Sequence, residues 1–103
     1  PIAPVTPEAP IKLVSLQQNA PNPFNPQTEI KFTVPRDGHV DLAVYDLSGR
    51  RIRTLVSGTV PAGDRAVTWD GRDEAGQMVP SGMYFYKYVT AGETASRKMT
   101  LLK

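Results

Sequence analysis

The sequence contains no cysteine, which excludes disulfides and thiolate-bound metals. It also lacks any apolar run near the ~20 residues that a membrane-spanning helix requires. Basic residues number 12 against 10 acidic ones, and they are scattered along the chain, so nucleic-acid binding is not expected. With one histidine and dispersed serines, no catalytic constellation is evident. We therefore expect a protein that is not an enzyme and that holds no cofactor.

Proline, in contrast, is abundant, with 10 in the 103 residues. Four prolines stand at positions 1, 4, 7 and 10, a spacing that places them along one edge of a polyproline II helix. Residues 1–11 are therefore interpreted as a Pro-rich linker, and residues 12–103 as one domain. Because a linker implies a domain before it, we expect the chain to be a piece of a longer protein.

Beyond the linker, apolar and polar residues alternate, as in strands that face a core on one side. The segment "TEIKFTV" from Thr28 puts Ile30, Phe32 and Val34 on one face, and "HVDLAVYD" follows the same scheme. Turn sequences rich in glycine, proline and aspartate separate about seven such segments. No segment keeps helical spacing for more than a turn. The sequence predicts an all-β, immunoglobulin-like antiparallel β-sandwich of about seven strands.

The stretch "NAPNPFNPQTEI", residues 19–30, connects the predicted first strand, residues 12–17, to the second. Prolines restrict its backbone, and Asn22 and Asn25 precede prolines, where their side chains can form Asx-turns. Phe24 is its large apolar side chain. We predict a connection that is rigid without a sheet partner, with Phe24 inserted into the core.

The acidic loop "DGRDEAG" is a candidate cation site, because acids lie between Asp70 and Glu74. Their spacing does not match a calcium loop, which needs oxygen ligands at alternate positions. We favour a hairpin loop in which Asp73 caps backbone N–H groups, and in which Gly71 and Gly76 take positive φ. Binding of a cation stays open.

Aromatic residues could instead bind sugar rings, as in a carbohydrate-binding module. Trp69 shares a strand face with an apolar neighbour, and Tyr84, Tyr86 and Tyr88 form a ladder on one face. Burial is predicted for all four, with the tyrosine hydroxyls reaching backbone. His39 is expected to face solvent at the start of a strand.

The chain resembles the C-terminal sorting domain of cargo exported by the type IX secretion system, in "NAPNPFNPQTEIKFTVP", "VDLAVYDLSGRRIRTLV", "PAGDRAVTWDGRDEAGQMVPSGMYFYKY" and "SRKMTLLK". That domain is similar in turn to the immunoglobulin-like domain of flagellar hook-capping proteins. The resemblance implies a domain that directs export across the outer membrane of a Gram-negative-type bacterium and attachment to its surface. We expect the sandwich to be a monomer. By this resemblance, ten residues of the chain match the signature of the family, and they are mainly framework residues: Asn22, Pro23, Phe24, Asn25, Pro26, Trp69, Gly71, Asp73, Gly82 and Tyr84.

The basic C-terminal end corresponds, by this resemblance, to the part that the export machinery recognises. Residues 94–102 are predicted to form the last strand, and Arg97, Lys98 and Lys103 leave a positive patch with Arg97 at its rim. This patch could contact the export machinery or an anionic surface polysaccharide, or it could only prevent an edge strand from pairing. Two alternatives for the whole domain remain, an accessory carbohydrate-binding module and a hook-cap-like scaffold.

Overall fold

The computed structural model describes residues 15–91 and 93–102. Its strands are β1 (Ser15–Leu16), β2 (Thr28–Val34), β3 (Gly38–Asp46), β4 (Arg51–Val60), β5 (Gly63–Trp69), β6 (Gly82–Thr90) and β7 (Glu93–Leu101). Within these described ranges there is no helix, and so none that could cross a membrane. The linker predicted for residues 1–11 lies outside the described residues, as do residues 12–14 of the predicted first strand.

The strands form two antiparallel sheets. A three-stranded sheet has the order β1-β2-β5, and a four-stranded sheet has the order β4-β3-β6-β7. Each pair of neighbouring strands is antiparallel. This arrangement confirms the predicted antiparallel β-sandwich, in which six strands are seven residues or longer and β1 has only two.

The core lies between the sheets, and the alternation of the sequence determines which side chains enter it. In β2, Ile30, Phe32 and Val34 are buried as predicted, and their neighbours point outward. Burying each such side chain stabilises the fold by about 1.5–3 kcal/mol relative to exposure. The other strands contribute the remaining members of the cluster, chiefly Val40, Leu42, Val44, Trp69, Tyr84, Tyr86, Tyr88, Met99 and Leu101.

The tyrosine ladder of β6 is buried, as predicted, and each hydroxyl donates a hydrogen bond to a backbone carbonyl. The pairs are Tyr84 to Pro80 at 2.7 Å, Tyr86 to Gln17 at 2.6 Å and Tyr88 to Thr33 at 2.9 Å. Burial raises the pKa of all three phenols above the usual value near 10. They therefore stay neutral donors at physiological pH, and two of them tie the four-stranded sheet to the opposite layer.

Candidate interaction site at the end of the last strand

The crossover, residues 17–27 between β1 and β2, contacts both sheets. Ala20 exchanges two backbone hydrogen bonds with β2, at 3.0 and 2.9 Å. Phe24 donates its N–H to the Thr100 carbonyl and accepts from the Leu102 N–H, both at 3.0 Å. The expectation that the crossover lacks a sheet partner is therefore wrong, because it bridges to β2 and to β7.

Two side chains of the crossover extend this contact along the edge of β7. The Asn22 Oδ1 accepts from the Thr100 N–H at 3.0 Å, and the Gln18 Nε2 donates to the Lys98 carbonyl at 2.7 Å. We call Gln18, Asn22 and Phe24 the β7 clamp. Since β7 is the outermost strand of its sheet, the clamp satisfies backbone groups that an edge strand would otherwise leave open.

The two asparagines before proline do not form the Asx-turns predicted for them. The Asn22 side chain bonds to a residue 78 positions further along the chain instead of to its own neighbours. Asn25 is exposed and makes no hydrogen bond to another described residue. The Asx-turn rule considers only neighbours in sequence, whereas the crossover lies against β7, a strand that is distant in sequence.

A buried polar network anchors the start of the crossover, and sequence reasoning missed it. Asn19 is 2 % exposed, and its backbone N–H donates to the Tyr86 hydroxyl at 2.9 Å. Its Nδ2 donates to the Thr28 hydroxyl at 2.9 Å and to the Pro21 carbonyl at 3.2 Å. Because each buried polar group has a partner, burial of this network carries little penalty. Nothing in the spacing of these residues signals the network.

Aromatic rings fill the end of the core beneath the β7 clamp. Phe24 is 2 % exposed, and its ring centroid lies 5.6 Å from that of Trp69. Trp69 meets Tyr84 edge-on at 5.6 Å, and its Nε1–H donates to the Arg72 carbonyl at 2.9 Å. The predicted insertion of Phe24 and burial of Trp69 are both confirmed. The aromatic side chains first considered as a sugar platform are thus core residues.

The loop between β5 and β6 adopts the hairpin conformation favoured by its sequence. The Asp73 Oδ1 accepts from two loop N–H groups, those of Ala75 and Gln77, at 2.9 and 3.0 Å. Gly71 and Gly76 have φ of 78° and 84°, as predicted. A Cβ on Gly71 would lie 3.2 Å from a carbonyl oxygen of the crossover, so this glycine also permits a close approach.

The acids of this loop are engaged by protein donors. Asp70 accepts from the Arg72 N–H and forms ion pairs with Arg53 and Arg72, at 3.8 and 3.9 Å. The Glu74 Oε2 accepts from the Thr54 N–H at 2.7 Å. No group of three side chains suited to a metal ion occurs in the described part of the chain. Cation binding here gains no support from the structure.

His39 is exposed, as predicted, and lies beside a carboxylate and a hydroxyl. Its Nε2 is 3.0 Å from the Asp41 Oδ2, while the Ser57 hydroxyl donates to the Asp41 Oδ1 at 2.8 Å. The hydrogen bond from Ser57, opposed by partial desolvation and assisted by His39, lowers the pKa of Asp41. A hydrolytic triad needs the histidine between the serine and the acid, whereas here the acid lies between the other two. The group lacks the geometry of a catalytic triad.

Two of the three basic residues predicted to form a patch, Arg97 and Lys98, are described, and both are exposed. Arg97 is in phase with the buried Met99, and its Nε donates to the Leu16 carbonyl at 2.5 Å. Arg97 thus joins β7 to β1, while Lys98 faces the opposite side of the strand, as strand alternation dictates. Lys103 lies outside the described residues. The Arg97 guanidinium is thus held at the edge of the sandwich, and the patch of Arg97, Lys98 and Lys103 stays a prediction.

Most of the signature residues meet around the end of β7. Asn22 and Phe24 hydrogen-bond to β7, and Gly82 and Tyr84 are paired with Leu101 and Met99. Trp69 and Gly71 lie beside them, while Pro26 is exposed. Gly82 opens β6 with φ of 153°, a conformation that side chains disfavour, while Pro23 and Asn25 are exposed. The signature therefore encodes a framework that holds the last strand.

Comparison with known proteins matches most of the chain to a known protein family. The family model named FlgD Ig-like domain matches residues 19–94. The basal-body rod modification protein FlgD of Salmonella typhimurium strain LT2 is 42% identical over 45 residues, which are 44% of this chain. The chain spans only 19% of the length of that relative. The match supports the predicted immunoglobulin-like character of the sandwich.

Two solved structures from Porphyromonas gingivalis share the fold. Dimeric latent PorU matches with a TM-score of 0.69 and 20% identity, over 86% of this chain and 9% of that one. PorZ, an essential bacterial surface component of the type-IX secretion system, matches with a TM-score of 0.57 and 16% identity, over 90% of this chain and 12% of that one. At these identities the likenesses show the fold alone.

Proposed function

The chain belongs to the FlgD Ig-like domain family, and from this premise we propose that it is a non-catalytic interaction domain of an exported protein. It directs a protein attached before it across the outer membrane and holds that protein at the cell surface. Its four-part resemblance to type IX sorting domains supports this proposal. So does the presence of the same fold in PorZ, a surface component of that secretion system.

The observation that carries the proposal is the convergence of the signature on the end of β7. The β7 clamp holds backbone groups from Lys98 to Leu102 in a fixed conformation. Holding a recognition segment in its bound conformation lowers the entropy cost of binding. The signature therefore prepares the C-terminal strand for recognition by the export machinery, with Lys98 as one outward contact.

An export assay tests the proposal. The full chain is fused after a passenger enzyme in a bacterium that has a type IX secretion system, and passenger activity is measured outside intact cells. We expect activity outside the cells with the chain and none when an unrelated β-sandwich replaces it. A passenger that stays inside in both cases, although the chain is folded, would contradict the proposal.

A paired variant tests the role of the clamp in the same assay. Gln18→Ala with Asn22→Ala removes both side-chain bonds to β7, together with the bond from Gln18 to the Asn19 Oδ1, and leaves the apolar core unchanged. We expect reduced export of a folded protein. Gln27→Ala with Gln77→Ala is the matched control, because both side chains are exposed and make no hydrogen bond to a described residue. If both double variants are exported equally well, the clamp does not contribute to recognition by the export machinery.

A scaffold role, like that of a flagellar hook cap, is the second candidate. The family match and the 42% identity to FlgD over 45 residues favour it. A scaffold of this kind acts by self-assembly, so its molecular mass in solution should rise with concentration. Sedimentation of the purified chain across a hundredfold range distinguishes the two, because a sorting domain should remain a monomer.

A further inference from the structure

A half-exposed aromatic pair lies on the outer surface of the four-stranded sheet. Tyr45 of β3 and Phe85 of β6 are directly opposite each other, and their rings stack with centroids 5.4 Å apart and planes within 15°. Met83, two residues before Phe85 on the same face, is 45% exposed. The outward positions of β2 are polar by comparison, namely Glu29, Lys31 and Thr33. Packing of the core does not require apolar side chains at these outward positions.

Cationic side chains surround the pair on three sides. Arg51 is paired with Tyr45 in the adjacent strand, and Lys98 is paired with Phe85 on the other flank. Lys87 lies diagonally, with its Nζ 5.7 Å from the centroid of the Tyr45 ring. We call this surface the outer patch, and its residues are Tyr45, Arg51, Met83, Phe85, Lys87 and Lys98.

The cations of the outer patch have no ion-pair partner within 4.0 Å among the described residues, although Arg51, in addition to the hydrogen bond from Ser57, helps to lower the pKa of the Asp41 carboxyl. None of its three cations makes an ion pair or a side-chain hydrogen bond there, whereas Lys31, Arg50, Arg53 and Arg72 each lie within 4.0 Å of a carboxylate. The nearby carboxylate on this face, Asp41, is occupied by His39 and Ser57. Three positive charges therefore face outward around an apolar centre.

We propose that the outer patch is a docking surface for an acidic protein, one that presents carboxylates around an apolar contact. Aromatic residues, methionine and arginine are the types enriched in protein interfaces, and they coincide here. An anionic polysaccharide fits this surface less well. The two rings cover one face of each other, and the Lys87 ammonium lies over the Tyr45 ring, which leaves less flat surface to stack on a sugar. This inference rests on the proposed function, in which the domain binds a protein of the export machinery.

The export assay described above tests the inference with two charge-matched triple variants. Arg51→Gln, Lys87→Gln and Lys98→Gln remove the cations of the outer patch. Lys31→Gln, Arg36→Gln and Arg50→Gln remove the same charge from exposed positions elsewhere. Loss of three interfacial ion pairs should weaken docking about tenfold, so export should fall in the first triple and persist in the control. Thermal melts should confirm that both variants are folded.

Site-specific photocrosslinking identifies what docks. Met83→benzoylphenylalanine places a crosslinker on the outer patch, and Lys31→benzoylphenylalanine places one on the other sheet. In exporting cells, we expect a discrete protein adduct from position 83 that is absent from position 31. The adduct should disappear in the outer-patch triple, and its crosslinked peptide should be rich in aspartate and glutamate.

The possible failures are distinct. If the wild-type chain exports nothing, the proposed function fails and the inference falls with it. If wild type and both triples export equally, the domain still sorts its passenger, but the outer patch is not the docking surface. If the outer-patch triple is exported normally yet shed from the surface, and soluble polygalacturonate releases the wild type, the patch binds polysaccharide and the proposal of an acidic protein is wrong.

Discussion

Replacing Trp69 with alanine is expected to lower the free energy of unfolding by about 3–5 kcal/mol. The indole is 1 % exposed, and its ring centroid lies 5.6 Å from those of both Phe24 and Tyr84. Alanine would leave a cavity between these rings and remove the N–H that satisfies the Arg72 carbonyl. Domains of this size have about 5–15 kcal/mol of stability, so the loss would unfold a domain at the lower end of that range.

Urea denaturation of the wild type and the variant measures the effect, with the midpoint and slope fitted separately. Trp69→Phe is the matched control, because it keeps a ring between Phe24 and Tyr84 and loses the hydrogen bond to the Arg72 carbonyl. Its expected cost is smaller, about 1–3 kcal/mol. If the free energy of unfolding of Trp69→Ala lies within about 0.5 kcal/mol of that of the wild type, the substitution behaves like one at an exposed position. The assignment of Trp69 to the core would then be wrong, and an exposed Trp69 that binds sugar would have to be reconsidered.

Three further substitutions test the crossover. Tyr86→Phe should cost about 1–3 kcal/mol, because the buried Asn19 N–H loses its acceptor, and urea denaturation measures it. Burial raises the pKa of Tyr86, so its contribution to stability is full below the usual pKa near 10 and is lost as pH rises through the raised value. Alkaline melts should therefore show a smaller pH-dependent loss in Tyr86→Phe than in the wild type. Asn22→Ala should cost only about 0.5–1.5 kcal/mol yet accelerate hydrogen exchange of the Thr100 amide, and unchanged exchange would refute the clamp. Gly71→Ala should cost about 1–2 kcal/mol or more, since φ is 78° and a Cβ would meet a carbonyl at 3.2 Å; a neutral thermal melt would contradict this.

Strand periodicity was enough to predict most of the fold. A period of two assigns inward and outward positions without knowledge of partners, so Phe32 in β2 and the tyrosines of β6 were placed correctly. Phe24 was assigned to the core because the crossover offers no other large apolar group. Asp73 and the loop glycines followed from turn chemistry, which is local.

The contacts that the sequence did not predict depend on which strands lie side by side. The bond from Asn22 to Thr100 requires the crossover to lie along β7, and the stack of Tyr45 on Phe85 requires the register of β3 against β6. Neither follows from spacing along one strand. The alternation of Arg97 with the buried Met99 is visible in the sequence, but its bond to the Leu16 carbonyl again depends on which elements lie side by side.

The clamp also affects how the domain closes and opens. Its side-chain contacts, and the bond from Arg97 to the Leu16 carbonyl, join residues 78 to 81 positions apart. Contacts of such long separation form slowly, because the loop between them must close first. They also lie at the edge of a sheet, where several of the bonds are exposed, and such regions open before the core unfolds. The crossover and β7 therefore close late in folding, and we expect the exposed clamp bonds to open transiently while Met99 and Leu101 stay in the core.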